Sequence, residues 1–170
     1  VPTNLVMMEQ ATLLLHEIQF KSEGDPSLSF FIPNELNSNC FDNLHKQALY
    51  LYQSGITSRG ASLLAHCLHS NRCLTDLSLS RNKIGDKGAA ALATALRFNT
   101  SITELYLGSN RITSRGAISL AAALKTNRKL AGLVLAGNLI DEDGAEALGV
   151  ALQHNQTLTE ISLQGNSVGS

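Results

Sequence analysis

From residue 46 onward the chain alternates between two hydrophobic rhythms. A stretch of period two, as in Leu77-Ser-Leu79, gives way to apolar residues at i, i+3, i+4 and i+7, as in Ala89, Leu92, Ala93 and Leu96. The first rhythm predicts a short half-buried strand and the second an amphipathic helix. The pair then repeats. Leu74-Thr-Asp-Leu77-Ser-Leu79-Ser-Arg-Asn82 lies over Ile102-Thr-Glu-Leu105-Tyr-Leu107-Gly-Ser-Asn110 at an offset of 28 residues. The same offset reaches Leu130, Leu133, Leu135 and Asn138, then Leu158, Ile161, Leu163 and Asn166, and backwards Lys46, Leu49, Leu51 and Ser54. Five units therefore begin at 46, 74, 102, 130 and 158, the last stopping before its helix. A strand and a helix this short cannot bury their own apolar faces, so stacking must do it. The expected fold is an α/β solenoid, with a parallel sheet on the concave side and helices outside.

The recurring non-leucine positions have mechanical readings. Asn82, Asn110, Asn138 and Asn166 leave the strand at equivalent points, where a side-chain amide can satisfy main-chain groups of a buried turn. Ser54 takes that place in the first unit. A second Asn recurs after the helix (Asn71, Asn99, Asn127, Asn155), and an Ile precedes it (Ile56, Ile84, Ile112, Ile140). Thr57-Ser58, Gly85-Asp86, Thr113-Ser114 and Asp141-Glu142 place a residue able to cap before each helix. Gly60, Gly88, Gly116 and Gly144 lack a Cβ where helix and strand are expected to approach most closely.

These residues resemble the leucine-rich repeat, L-x-x-L-x-L-x-x-N-x-I, in its long helical version typified by ribonuclease inhibitor. The resemblance covers residues 46–170, and the uniform units look most like the repeat domains of NOD-like receptors. It implies a horseshoe fold, no catalysis, and ligand sensing or autoinhibition in cytosolic innate immunity. Ribonuclease inhibitor itself alternates two repeat lengths and is rich in Cys, unlike this chain. A second relative with this repeat type, the Ran GTPase-activating protein, implies a different role, as a regulator of a GTPase. The acidic tail usual in that family is absent.

Residues 1–45 fall outside the 28-residue frame. Leu5, Met8, Thr12, Leu15 and Ile18 predict an amphipathic helix ended by Gly24-Asp25-Pro26, followed by the apolar run Leu28 to Ile32 and a polar stretch from Pro33 to Asn43. The expected role is an N-terminal cap on the first repeat. The truncated fifth unit leads us to expect that the natural protein continues, and its uncapped end offers a route to self-association.

Charge and composition narrow the chemistry. The net charge of −1 conceals a segment at −5 (residues 1–45, six acids against Lys21) and a repeat region at +4, with 12 bases and 8 acids. Neither half has the dense basic stripe that nucleic acid requires, and no stretch reaches membrane-spanning length. Three cysteines, Cys40, Cys67 and Cys73, have no framework spacing, which favours reduced thiols in a cytosolic or nuclear compartment, with the cytoplasm the expected location. Gly85-Asp-Lys-Gly88 superficially suggests a phosphate loop, but its Lys precedes the last Gly, and the equivalent loops read TSRG, TSRG and DEDG. His66, Cys67, His69 and Cys73 are close in sequence, yet Cys67 takes an apolar helix position and no metal is expected. Asn99-Thr-Ser and Asn155-Gln-Thr match the glycosylation sequon but fall in the repeated Asn position, where a structural role is expected. No catalytic or cofactor-binding constellation stands out.

Binding is expected where side chains alternate with the strand leucines, on the concave face. Tyr50, Tyr52, Asp76, Ser78, Glu104, Tyr106, Val134 and Glu160 are the candidate residues. All three tyrosines and three of the eight acids of the repeat region fall there, which suits a protein partner offering basic and apolar groups. Arg81, Lys83 and Arg111, in the loops after the strands, form a basic rim as a secondary candidate.

Overall fold

The computed structural model describes residues 48–72 and 74–169. Within them, strands and helices alternate as the two rhythms predict. The order is β1 (Ala48–Tyr50), α1 (Ser58–Ser70), β2 (Asp76–Ser78), α2 (Gly85–Leu96), β3 (Glu104–Tyr106), α3 (Ser114–Leu124), β4 (Gly132–Val134), α4 (Glu142–Leu152) and β5 (Glu160–Ser162). The strands form one parallel sheet in chain order. Adjacent strands pair at the repeat offset, so that Leu49, Leu77, Leu105, Leu133 and Ile161 stand in one row. The N-terminal cap expected over residues 1–45 lies outside the described residues.

The core is a stack of aliphatic layers. Leu77, Leu79, Leu107, Leu133 and Leu135 are fully buried under the sheet, and Ile56, Ile84, Ile112 and Ile140 are equally buried at the turn into each helix. From the helices come residues such as Leu64, Leu92, Leu120 and Leu148. Each helix packs on the next along the stack. Neighbouring helices need about 8–10 Å and neighbouring strands about 4.8 Å, so the layers fan out on the helix side and the sheet takes the inner arc. Burial thins at the last strand, where Leu158, Ile161 and Leu163 are only partly covered.

Two asparagine ladders hold the turns. The Nδ2 of Asn110, whose side chain is buried, donates to the carbonyls of Leu79, Leu107 and Gly108 at 2.9, 3.0 and 3.2 Å. Asn82 Oδ1 accepts from the backbone N–H of Ser54 and of Ile56, both at 3.0 Å. Each Asn thus ties the turn of its own unit to the turn of the unit before it. On the opposite edge, Asn99 Nδ2 donates to Leu68 O at 2.7 Å and Asn71 O at 3.0 Å, while its Oδ1 accepts from Ser101 N and Ile102 N. Asn155 repeats the arrangement. Both sequon asparagines are buried, at 3% and 8% exposure, with their amides committed to the backbone. They are pieces of the frame, as the repeat predicts.

Two expectations about the helix starts need correction. Gly88, Gly116 and Gly144 face the preceding helix and not the strand. A Cβ on Gly88 would lie 2.9 Å from Ala61 Cβ and 3.2 Å from Ser58 Cα, and one on Gly144 would meet Ser114 Cα at 2.9 Å. They allow neighbouring helices to touch at their first turns. Nor does every helix cap itself. Thr113 accepts from Arg115 N, and Asp141 from Asp143 N and Gly144 N, but the residues before α1 and α2, Thr57 and Ile84, supply no side-chain cap. The chain enters α2 through Gly85 at φ +58°, and Asp86 turns to the next unit, where it caps α3. Its carboxylate accepts from Thr113 N, Thr113 Oγ1 and Gly116 N.

Candidate functional site

Strand alternation decides which residues the concave face presents. With Leu77 and Leu105 buried, Asp76, Ser78, Glu104 and Tyr106 turn to the opposite side and are partly exposed. Register then sorts them into rows. One row holds Asp76, Glu104, Gly132 and Glu160, and the next holds Tyr50, Ser78, Tyr106, Val134 and Ser162. Tyr50 and Tyr52 are each 51% exposed, large apolar surfaces left open at the first strand. Register thus brings seven of the eight concave candidates onto one surface, an acidic row beside an aromatic and aliphatic row, with Tyr52 exposed in the turn after β1.

Gly132 belongs to the acidic row by its place in the repeat, but it was not among the candidate binding residues. A Cβ there would sit 1.9 Å from Glu104 Oε2, so the Glu104 carboxylate leans across the space that the glycine leaves on β4. That posture carries it toward Glu160. Burial, with the like charges of Asp76 and Glu160, pushes the Glu104 carboxyl above its ordinary value of 4.5. Burial and the same acids, Glu104 first, raise the Tyr106 phenol above 10.0, so it remains a neutral hydroxyl donor. The row is an uncomfortable place for negative charge, which a cation would relieve.

The rim residues Arg81, Lys83 and Arg111 are exposed, as expected. Arg81 and Arg111 sit at φ +57° and +59° in the turns, and the Arg81 guanidinium lies 5.5 Å from the centre of the Tyr52 ring. Arg81 therefore extends the aromatic end of the concave face through a cation–π contact. Lys87 is exposed on the first turn of α2, and Gly88 is committed to helix packing, so the apparent phosphate loop is the start of a repeat helix. Cys67 is buried, whereas His66 and His69 are exposed on α1, and the His69 ring packs against Phe98 at a tilt of 53° with ring centres 4.8 Å apart. Cys73 lies outside the described residues.

The helix side holds a feature the sequence reading missed. Ile118, Ala122, Ala147 and Val150 line an open groove of about 340 Å3 between α3 and α4, with Lys125 and with Asp143 and Glu146 along it. The signal was available: Ile118 takes a helix position that is Ser62 in the first unit, and Val150 one that is His66 or Thr94. Among the described residues no helix is long and apolar enough to cross a membrane.

Comparison with known proteins agrees with this architecture. The sequence profile of the Leucine Rich repeat family matches residues 70–93, 98–121 and 154–170, three segments in the phase of the 28-residue units. No curated protein matches the sequence. Among solved structures, Leiomodin-1 Actin-Binding Site 2 is similar, with a TM-score of 0.64 and 23% identity over 72% of this chain and 75% of that one. At that identity the likeness is one of fold.

Proposed function

We propose that this leucine-rich-repeat solenoid is a non-enzymatic protein-binding module that recognises its partner through the concave face. The observation that carries the reading is the in-register acidic row of Asp76, Glu104 and Glu160 beside the exposed ring of Tyr50 and the part-exposed ring of Tyr106. Mutually repelling carboxylates next to unburied rings suit a partner presenting basic and apolar groups. A fold neighbour described as an actin-binding site supports a protein-binding role. Replacing Tyr50 and Tyr106 by Ala and Glu104 by Gln together is the test, with Lys125→Ala on the helix face as control. Affinity capture should lose the partner only in the triple variant. Unchanged capture would move the interface to the rim or the ends.

Within this reading, the uniform 28-residue units support a cytoplasmic sensing or autoinhibitory region of the NOD-like receptor kind. The rival is a regulator similar to the Ran GTPase-activating protein. Accelerated GTP hydrolysis by a Ran-type GTPase on addition of the chain would replace the pure binding module with that regulator.

A further inference from the structure

We infer that the concave face takes an amphipathic helix lying across the strands, with a basic stripe over the acidic row and an apolar stripe over the tyrosine row. The inference rests on the concave-face reading and adds the shape of the partner. The two rows run along the sheet, perpendicular to the strands. They are two residues apart on each strand, about 6.7 Å, and step by about 4.8 Å from strand to strand.

An extended segment fits this lattice poorly. Its side chains alternate between opposite faces, so one row at a spacing of about 6.8 Å meets the sheet and the second row is left empty. A helix does better on both dimensions. Residues at i+3 and i+4 advance about 4.5 and 6 Å, bracketing the strand spacing, and two stripes about 100° apart on its surface lie about 8 Å apart. The floor also accommodates a convex rod. Ser78, Ser80, Gly108 and Ala136 are small, so the part-exposed Tyr106 ring stands beside low neighbours, and Tyr50 and Tyr52 are exposed at the first-strand end. Five strands span about 19 Å, the length of a helix of about 13 residues.

Charge fixes the orientation of the two stripes. Asp76 and Glu104 occupy adjacent strands, and Glu160 follows after the Gly132 gap into which Glu104 leans. A lysine or arginine seated over Gly132 meets both Glu104 and Glu160. The apolar stripe covers Tyr106 and Val134, neighbours in the second row.

The test uses three synthetic peptides of one composition, Leu with Lys: a helix with adjacent apolar and basic stripes, a helix with the same residues scattered, and a strictly alternating extended peptide. Binding to the full chain is read by fluorescence anisotropy at two salt concentrations, beside the Glu104→Gln variant and a helix-face control, Glu146→Gln. The striped helix should bind at least about tenfold more tightly than either other peptide. Glu104→Gln should weaken it several-fold and flatten its salt dependence, while Glu146→Gln leaves it unchanged. Equal binding of striped and scattered helices, with loss in Glu104→Gln, keeps the face and overturns the helix. Preference for the alternating peptide overturns it in favour of a strand-like partner. Binding by none of them overturns the inference, and partner capture by the triple variant then decides the face separately.

Discussion

The Asp86 carboxylate caps a helix that belongs to the next repeat: Oδ1 accepts from Thr113 N and Oδ2 from Thr113 Oγ1, both at 2.7 Å across 27 residues. Gly116 N adds a third bond at 3.1 Å. Local capping propensity has here been put to use between units, so that the start of α3 depends on the first turn of α2. Asp86→Ala should therefore destabilise the chain by about 1–3 kcal/mol, the range for a lost cap and an orphaned partly buried N–H. Urea unfolding would show it as a lower midpoint. Asp86→Asn, keeping an acceptor, should recover part of the loss.

Rungs of the asparagine ladder should differ by position. Asn110→Ala leaves the carbonyls of Leu79 and Leu107 without this buried donor and should cost about 2–4 kcal/mol. Asn166 makes the same bonds to Leu135 and Leu163, but in a partly exposed setting where water can replace it. Asn166→Ala should cost less than half as much. Equal midpoints for the two variants would contradict the ladder as an energetic unit.

Alanine in place of glycine should have opposite signs at two helical positions. At Gly88 the added Cβ meets Ala61 Cβ at 2.9 Å and Ser58 Cα at 3.2 Å, so helices must separate, at a cost of about 1–3 kcal/mol. At Gly149, inside α4, nothing lies within 4 Å of the new methyl group. Gly149→Ala should stabilise by about 0.5–1 kcal/mol through helix propensity and a less flexible unfolded chain. Thermal melts of the two variants give the comparison directly.

Two carboxylates should respond to pH in opposite senses. Asp141 is held below its ordinary value of 3.8, chiefly by the Ser114 hydroxyl and then by the N–H groups of Gly144 and Asp143. Its contribution to stability is present above the unfolded value and disappears as pH falls through the lowered folded one. Glu104 is raised, so its ionisation weakens the folded state as pH rises from the unfolded value through the raised folded one. Melting temperatures followed from about pH 3 to 7 should show Asp141→Asn losing most, relative to the parent, at the upper end. Glu104→Gln should gain most there.

The repeat frame was open to reading in the sequence because stacking translates one solution along the chain. Leu77 must do what Leu105 and Leu133 do, so each copy reports on the others, and strand, helix and concave row follow from the offset alone. The face itself was legible for the same reason: period-two alternation sends Glu104 and Tyr106 to the side opposite Leu105. Where two units meet, the legibility ended. That Gly88 makes room for Ala61, that Asp86 caps α3 and that Glu104 leans over Gly132 all depend on atoms 27 or 28 residues apart along the chain. A local pattern gives each residue's face but not which atom of the adjacent layer it will meet. The groove between Ile118 and Val150 belongs to that class too, since it exists only once α3 and α4 lie side by side. Periodicity alone thus determined the layers and what faces in or out, because burial of the leucines admits one arrangement. The tertiary structure decided the contacts between layers, because these depend on the angstrom-scale approach of neighbouring helices and strands.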